Sequence, residues 1–252
     1  MKKLKSLTIL FVLTTLLVVA GGPSTNALAS PGAVAPDLAS AATFVALAAS
    51  TLTNTGSGIF NGNVGTSPGT SVSGFPPGIV MNGAIYEGGG VPAQAQTDAT
   101  AAYVALGGQS CGVNLTGQDL GGMTLAPNVY CFDTSAQLTG NLVLDANGNL
   151  NAVWVFKTGS TLTTASIATV TVINGGNALN VFWKVGSSAT LGTGTRFIGN
   201  IIAYESISLL TSATLTGRAL ALTGAVTMDT TGSPFPITNV PEDLYLYIPV
   251  LR

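Results

Sequence analysis

The chain has 252 residues, 46% of them hydrophobic and only 7% charged (8 Lys+Arg, 10 Asp+Glu), where an average soluble domain carries about 25% charged residues. It contains no histidine, which excludes mechanisms needing an imidazole base or ligand, among them Ser-His-Asp and Cys-His catalysis and zinc-His sites. Eight basic side chains against ten acidic ones leave no patch for nucleic-acid phosphates, and plentiful apolar residues at a net charge of −2 exclude a disordered chain.

At the start, Met1–Lys5 (MKKLK) is basic, Leu7–Ala20 (LTILFVLTTLLVVA) is apolar, and Ala27-Leu28-Ala29 forms a small-x-small cleavage site. That three-part pattern predicts a secretory signal peptide over residues 1–29, removed near Ala29 on export. A membrane anchor competes with it, but 14 apolar residues fall short of the roughly 20 that span a bilayer. Removing the peptide takes three of the eight basic residues, leaving five against ten acidic ones, a net charge of −5.

Residues 43–65 then give three strand-like segments in order: TFVALA, STLTNT and GIFNGNVG. An interruption follows over residues 66–127. Its first part, TSPGTSVSGFPPG, is rich in Pro and Gly and reads as loop. Next, VPAQAQTDATAAYVALGG carries Pro92 in the first turn and Gly107-Gly108 at the end, the start and stop signals of a helix over about 91–107. Ala95, Ala99, Ala102 and Leu106 recur at helical spacing, so the helix is expected to lie close along one side of a sheet. Cys111 and Cys131 are the two cysteines. An even count in an exported protein reads as one disulfide, whereas a nucleophilic cysteine has no histidine to activate it.

From residue 128 onward three kinds of segment recur in a fixed order. The first is an apolar strand: NVYCFD, AVWVFK, NVFWKV, NIIAYE, RALALT. The second is short and hydroxyl-rich: AQLTG, STLTT, ATLG, SISLL, AVTMD. The third leads to the next first-kind strand: NLVLDANG, ATVTVING, TRFIGN, ATLTG. Three strands per period of about 20 residues, with Gly and Asn at the corners, indicate a β-solenoid. A β-sandwich has similar strand spacing but does not explain the fixed order. The expected architecture is therefore all-β with one flanking helix, in a single domain over residues 30–238. A C-terminal tail, 239–252, is interrupted by Pro241 and Pro249 and is too short to span a membrane. Trp154 and Trp183 occupy equivalent first-kind positions, expected to pack against the helix or stand exposed in register. The run Asp145-Ala146-Asn147-Gly148-Asn149 is half a calcium loop without its later glutamate and reads as a turn, so no metal site is expected.

Strand side chains alternate between two faces. In the second-kind segments the inward residue is apolar throughout: Leu52, Leu138, Leu162, Leu191, Ile207, Val226. Its neighbours point outward and are small and almost uncharged: Thr51 and Thr53, Gln137 and Thr139, Thr161 and Thr163, Thr190 and Gly192, Ser206 and Ser208, Ala225 and Thr227. High β propensity explains Thr in general, but not the lack of Lys, Glu and Arg on this one face. With 33 threonines, 16 asparagines and 32 glycines, the polar surface is built of hydroxyls and amides. A rigid, regular array of hydroxyls and methyls is suited to an ordered water lattice.

The stretches SAATFVALAASTLTNTG, FNGNVGTSPGT, TGQDLGGMTLAPNVYCF, NAVWVFKTGSTLTT, NVFWKVGSSATLGTGTRFIGNIIA and LTGRALALTGAVTMD resemble the DUF3494 ice-binding proteins of cold-adapted microbes, over about Ala39 to Thr231. The resemblance implies a discontinuous right-handed β-solenoid of triangular cross-section with a flanking helix. It also implies a secreted monomer that acts on an ice crystal surface without cofactor, small-molecule substrate or nucleic acid. The family's ice-binding face corresponds to the second-kind segments. Its residues would fall here on Thr51, Thr53, Gln137, Thr139, Thr161, Thr163, Thr190, Ser206, Ser208 and Thr227. Two other readings are weaker. A carbohydrate-active β-helix enzyme needs clustered carboxylates or Ca²⁺, and Asp119, Asp133, Asp145, Glu205 and Asp229 are scattered among segment types. A cell-surface adhesive or structural module would carry a second domain or a sorting motif, and none is evident.

Overall fold

The computed structural model describes residues 32–229 and the backbone of Ile237–Thr238. The expected signal peptide and the expected tail lie outside the described residues. The described residues open with two coils: β1 (Phe44–Ala48), β2 (Thr51–Thr55), β3 (Ile59–Asn61), then β4 (Asn63–Thr66), β5 (Ser71–Ser73), β6 (Ile79–Met81) and β7 (Ile85–Glu87). Helix α1 (Gly90–Gly108) follows. The remaining coils comprise β8 (Val113–Asn114), β9 (Thr124–Leu125), β10 (Val129–Phe132), β11 (Ala136–Leu138), β12 (Asn141–Asp145), β13 (Trp154–Thr158), β14 (Leu162–Thr164) and β15 (Thr169–Ile173). Beyond them lie β16 (Val181–Val185), β17 (Ala189–Leu191), β18 (Arg196–Ala203), β19 (Ile207–Leu209), β20 (Thr214–Ala221), β21 (Val226–Asp229) and β22 (Ile237–Thr238).

All pairings between these strands are parallel, and they stack into three faces. The first face runs β8–β10–β13–β16–β18–β20–β1–β4–β7. The second is a seven-stranded sheet, β11–β14–β17–β19–β21–β2–β5. The third runs from β9 through β12, β15, β18, β20, β22 and β3 to β6. Strands β18 and β20 serve the third face with their first halves and the first face with their second halves. They bend at Gly199 and Gly217 (φ 116° and 151°), where a Cβ would come within 2.7 Å of Trp183 Nε1 and 2.0 Å of the Gly199 oxygen. Only glycine fits there.

The stack does not follow chain order. Strand β1 lies between β20 and β4, so the two N-terminal coils sit beyond the last C-terminal coil. The next segment must therefore return to the opposite end, and α1 carries it. From β7 to β8 the first face has eight inter-strand spacings, about 38 Å at ~4.8 Å each. A 19-residue helix covers about 28 Å, and its flanking glycine-rich segments supply the remainder. The helix buries Pro92, Ala95, Ala99, Ala102 and Leu106 against Phe44, Leu47, Val129, Val155, Phe182, Ile202 and Leu220 on the outer side of the first face. Small residues permit that close approach. Lys157 Nζ donates to the carbonyls of Gly107 (3.1 Å) and Gln109 (2.5 Å) at the helix C-terminus, where a cation is favoured.

The expected solenoid with one flanking helix is what the pairings give, with three corrections. Residues 66–78, expected as loop, contain β5 and complete a second N-terminal coil with β6 and β7. The prolines and glycines there stand at corners of the coil, between β4, β5 and β6. Trp154 and Trp183 neither touch the helix nor stand exposed: both are fully buried in the interior. Their indole N–H groups donate to the carbonyls of Leu125 (3.0 Å) and Ile198 (2.9 Å). Nor are they equivalent, because Trp154 pairs with Val181 while Trp183 pairs with Phe156. Tyr130, Phe156, Trp183 and Phe197 form a ladder of rings up the interior, the closest pair being Phe156–Trp183 at 4.0 Å. Cys111 and Cys131 form the expected disulfide, with Cα atoms 5.9 Å apart. Asp145 closes a turn by accepting from Asn147 N and Asn174 Nδ2, both at 2.8 Å.

Candidate functional site

The second face is held from inside by Leu52, Ala136, Leu138, Leu162, Ala189, Leu191, Ile207, Leu209, Val226 and Met228, all buried. Alternation then sets the outward side chains, and the strand register arranges them in columns. The central column reads Gln137, Thr163, Thr190, Ser208, Thr227, Thr53, Ser73. Asp119 extends it at one end through a bridge to Gln137. Rungs repeat every ~4.8 Å, and outward neighbours along a strand stand ~6.7 Å apart.

A flanking column lies two residues earlier on each strand: Ser135, Thr161, Ser188, Ser206, Ala225, Thr51, Ser71. The two columns differ in hydrogen bonding. In the flanking column hydroxyls are engaged by the protein: Thr161 Oγ1 donates to Ser135 Oγ (2.8 Å), and Ser188 Oγ donates to Glu205 (3.1 Å). Ser206 Oγ accepts from Ala225 N (3.1 Å). In the central column the only contact of this kind among the described residues is the long one from Ser73 Oγ to Thr53 Oγ1, 3.4 Å. The hydroxyls of Thr163, Thr190, Ser208 and Thr227 have no protein partner among the described residues and face solvent. Restricted χ1 rotation holds the threonines among them in few rotamers.

Of the ten residues expected from sequence, Gln137, Thr163, Thr190, Ser208, Thr227 and Thr53 fall in the central column and Thr51, Thr161 and Ser206 in the flanking one. Thr139 belongs to neither. It follows β11 at the corner towards the third face, where its N–H donates to Asp119 Oδ1 (2.9 Å). Burial acts to raise the Asp119 carboxyl, but donation from the Thr139 and Gly121 N–H groups outweighs it and holds the pKa below the usual carboxylate value. Ser71, Ser73, Ser135 and Ser188 complete the columns and were not foreseen. The first two lie in the segment expected as loop. The others flank Ala136 and Ala189, which, rather than Leu138 and Leu191, are the register counterparts of Leu162 and Ile207. One signal finds them. The first-face residues Cys131, Lys157, Lys184 and Ile202 share a register row, and each precedes its central-column residue by six positions, whereas Leu220 in the same row precedes Thr227 by seven.

Remaining carboxylates are taken up locally: Asp133 accepts from Asn114, Glu205 from Ser187 and Ser188, and Asp229 from Thr211. Among the described residues no three acidic or thiol groups gather in a way that could hold a metal ion.

The sequence profile of the family described as Ice-binding-like matches residues 46–233, which contain every strand of the second face. The chain belongs to this family. An ice-binding protein of Nostoc sp. (strain HG1) is 54% identical over 194 residues, covering 77% of this chain and 71% of the relative. Among solved structures, the ice-binding protein of the Antarctic ascomycete Antarctomyces psychrotrophicus superposes with a TM-score of 0.76 at 39% identity, over 81% of this chain and 98% of the other. An ice-binding protein from an Antarctic biological consortium gives 0.77 at 41%, over 81% and 92%. The ice-binding family match and the pairing pattern thus describe one solenoid, with the column-bearing face wholly inside the matched region.

Proposed function

We propose that this protein adsorbs to ice through its second face and thereby inhibits ice growth and recrystallisation. The observation that carries the reading is the central column: seven uncharged outward side chains in register, six of them hydroxyl-bearing and four of those threonines, with the hydroxyls of Thr163, Thr190, Ser208 and Thr227 left for solvent. Each such contact is weak, but a rigid array makes many at once at little entropic cost. Ice is uncharged and periodic, so a face without Lys, Arg or Glu suits it. The names of the similar proteins support the same reading.

In this account the protein is a non-catalytic monomer, exported after loss of residues 1–29, and its partner is the ice crystal surface. Recrystallisation inhibition, measured on the chain lacking residues 1–29 and on its Thr163→Tyr variant, tests it. The phenol of Tyr would stand the face off from a flat surface and cost several neighbouring contacts. An increase of roughly tenfold or more in the effective concentration is expected, corresponding to a loss above about 1.4 kcal/mol. No inhibition by the parent chain would end the reading.

A further inference from the structure

The corner between the second and third faces carries a strained residue. The residues two positions before the paired Thr169, Arg196 and Thr214 are Ile167, Gly194 and Ser212, with φ of 57°, 67° and 58°. Glycine adopts this left-handed conformation freely and serine tolerates it better than isoleucine does. For a β-branched residue it is a true outlier. Ile167 is nonetheless 78% exposed, so interior packing does not demand it.

The surrounding turn is over-determined, as a strained residue requires. Ile167 N donates to the Thr193 carbonyl (2.8 Å). Beneath it, the buried hydroxyls of Thr164 and Thr195 meet at 2.8 Å; Thr164 Oγ1 accepts from Gly192 N (2.8 Å) and Thr195 Oγ1 donates to the Ala165 carbonyl (3.1 Å). The Ile167 side chain leans over the next coil: its Cγ2 lies 3.4 Å from where a Cβ on Gly194 would stand. One coil further, at the edge of the second face, Leu210 is 43% exposed. The corner therefore carries two exposed apolar side chains two coils apart, Ile167 four residues after Thr163 and Leu210 two residues after Ser208 of the central column.

We propose that Ile167, with Leu210 two coils along the same corner, is part of the ice-contacting surface, an apolar rim extending the hydroxyl columns around the edge of the face. Backbone strain is tolerated there in exchange for methyl groups at the ice boundary. This rests on the ice-binding reading of the second face. It goes beyond it by assigning contact to residues outside both columns.

The test uses Ile167→Gly, which relieves the strain and removes the side chain, and Ile167→Asn, which tolerates the conformation but is polar. Both are compared with the parent chain for thermal unfolding and for recrystallisation inhibition. Relief of strain is expected to raise Tm by about 2–6 °C for Ile167→Gly. Loss of the proposed apolar contact with ice is expected to raise the effective concentration about three- to tenfold for both variants. Unchanged inhibition in an active background would overturn the rim while leaving the columns intact, and so would a lower Tm for Ile167→Gly, which would show the turn unstrained. An inactive parent chain would instead remove the underlying reading, and the rim with it.

Discussion

Thr163, in β14, and Thr139, just after β11, lie on neighbouring coils of one face, yet they have different surroundings. Thr163 points outward at the middle of β14 with its hydroxyl free of protein partners. Thr139 stands at the corner and binds Asp119 through its backbone. Thr139→Tyr is therefore expected to disturb recrystallisation inhibition much less than Thr163→Tyr. A second residue of consequence is Arg218, buried in a strand that reads as apolar. Its Nε and Nη2 donate to the Ala42 carbonyl (3.0 and 2.7 Å) and Nη1 to Asn200 Oδ1 (2.7 Å). Burial lowers its pKa, and the three bonds tie the segment entering β1 to β20, the junction between the two parts of the solenoid. Arg218→Ala leaves two buried acceptors unpaired and is expected to cost about 2–4 kcal/mol, measured by urea unfolding. Nothing in RALALT signals this, because the partners lie 18 residues away on Asn200 and 176 residues away on Ala42.

At the scale of elements, the helix was legible because its signals are local: a first-turn proline, terminal glycines and a stripe of alanines. Its close seat makes a sharp expectation. Ala99 is fully buried against the first face, and Ala99→Leu is expected to destabilise by about 1–3 kcal/mol through overpacking, read as a lower Tm. The strands were legible in kind but not in register, for a physical reason. A slip of two residues leaves every side chain on its own face, so the inward leucines could not reveal that Leu138 and Leu191 were misaligned. A slip of one went unnoticed in AVWVFK and NVFWKV because the first face is covered on both sides, by the interior and by the helix. Such strands are apolar throughout and lose the alternation that marks register. The coil containing Ser71-Val72-Ser73 was hidden by Pro and Gly, which mark corners of a coil as readily as loops.

For the molecule as a whole, the scarcity of charge has two consequences. With no histidine in the chain, no side chain of ordinary pKa titrates between about pH 5 and 8. Recrystallisation inhibition is accordingly expected to be flat over that range, and a steep step inside it would contradict an uncharged binding face. Stability behaves differently in acid. Hydrogen bonds from Ser40 and Gln94 hold the Asp98 carboxyl below its usual pKa, those from Asn147 and Asn174 do the same at Asp145, and Asp119 is lowered as described. A carboxyl whose folded pKa is depressed contributes stability above its unfolded value of about 3.9, and that contribution is lost as pH falls through the folded pKa. The unfolding midpoint should therefore hold steady at neutral pH and fall only below about pH 4. The order of the coils was the part least open to sequence. Which end the N-terminal coils occupy depends on pairing between segments far apart in the chain, and all coils carry similar edges.

The most direct measurement is partitioning into a slowly growing ice phase of the chain lacking residues 1–29, alongside Thr163→Tyr and Thr139→Tyr, with Tm recorded for each. Enrichment of the parent chain and of Thr139→Tyr in the ice, with exclusion of an equally stable Thr163→Tyr, is the expected result. Equal enrichment of a folded Thr163→Tyr would contradict the claim that the central column binds ice.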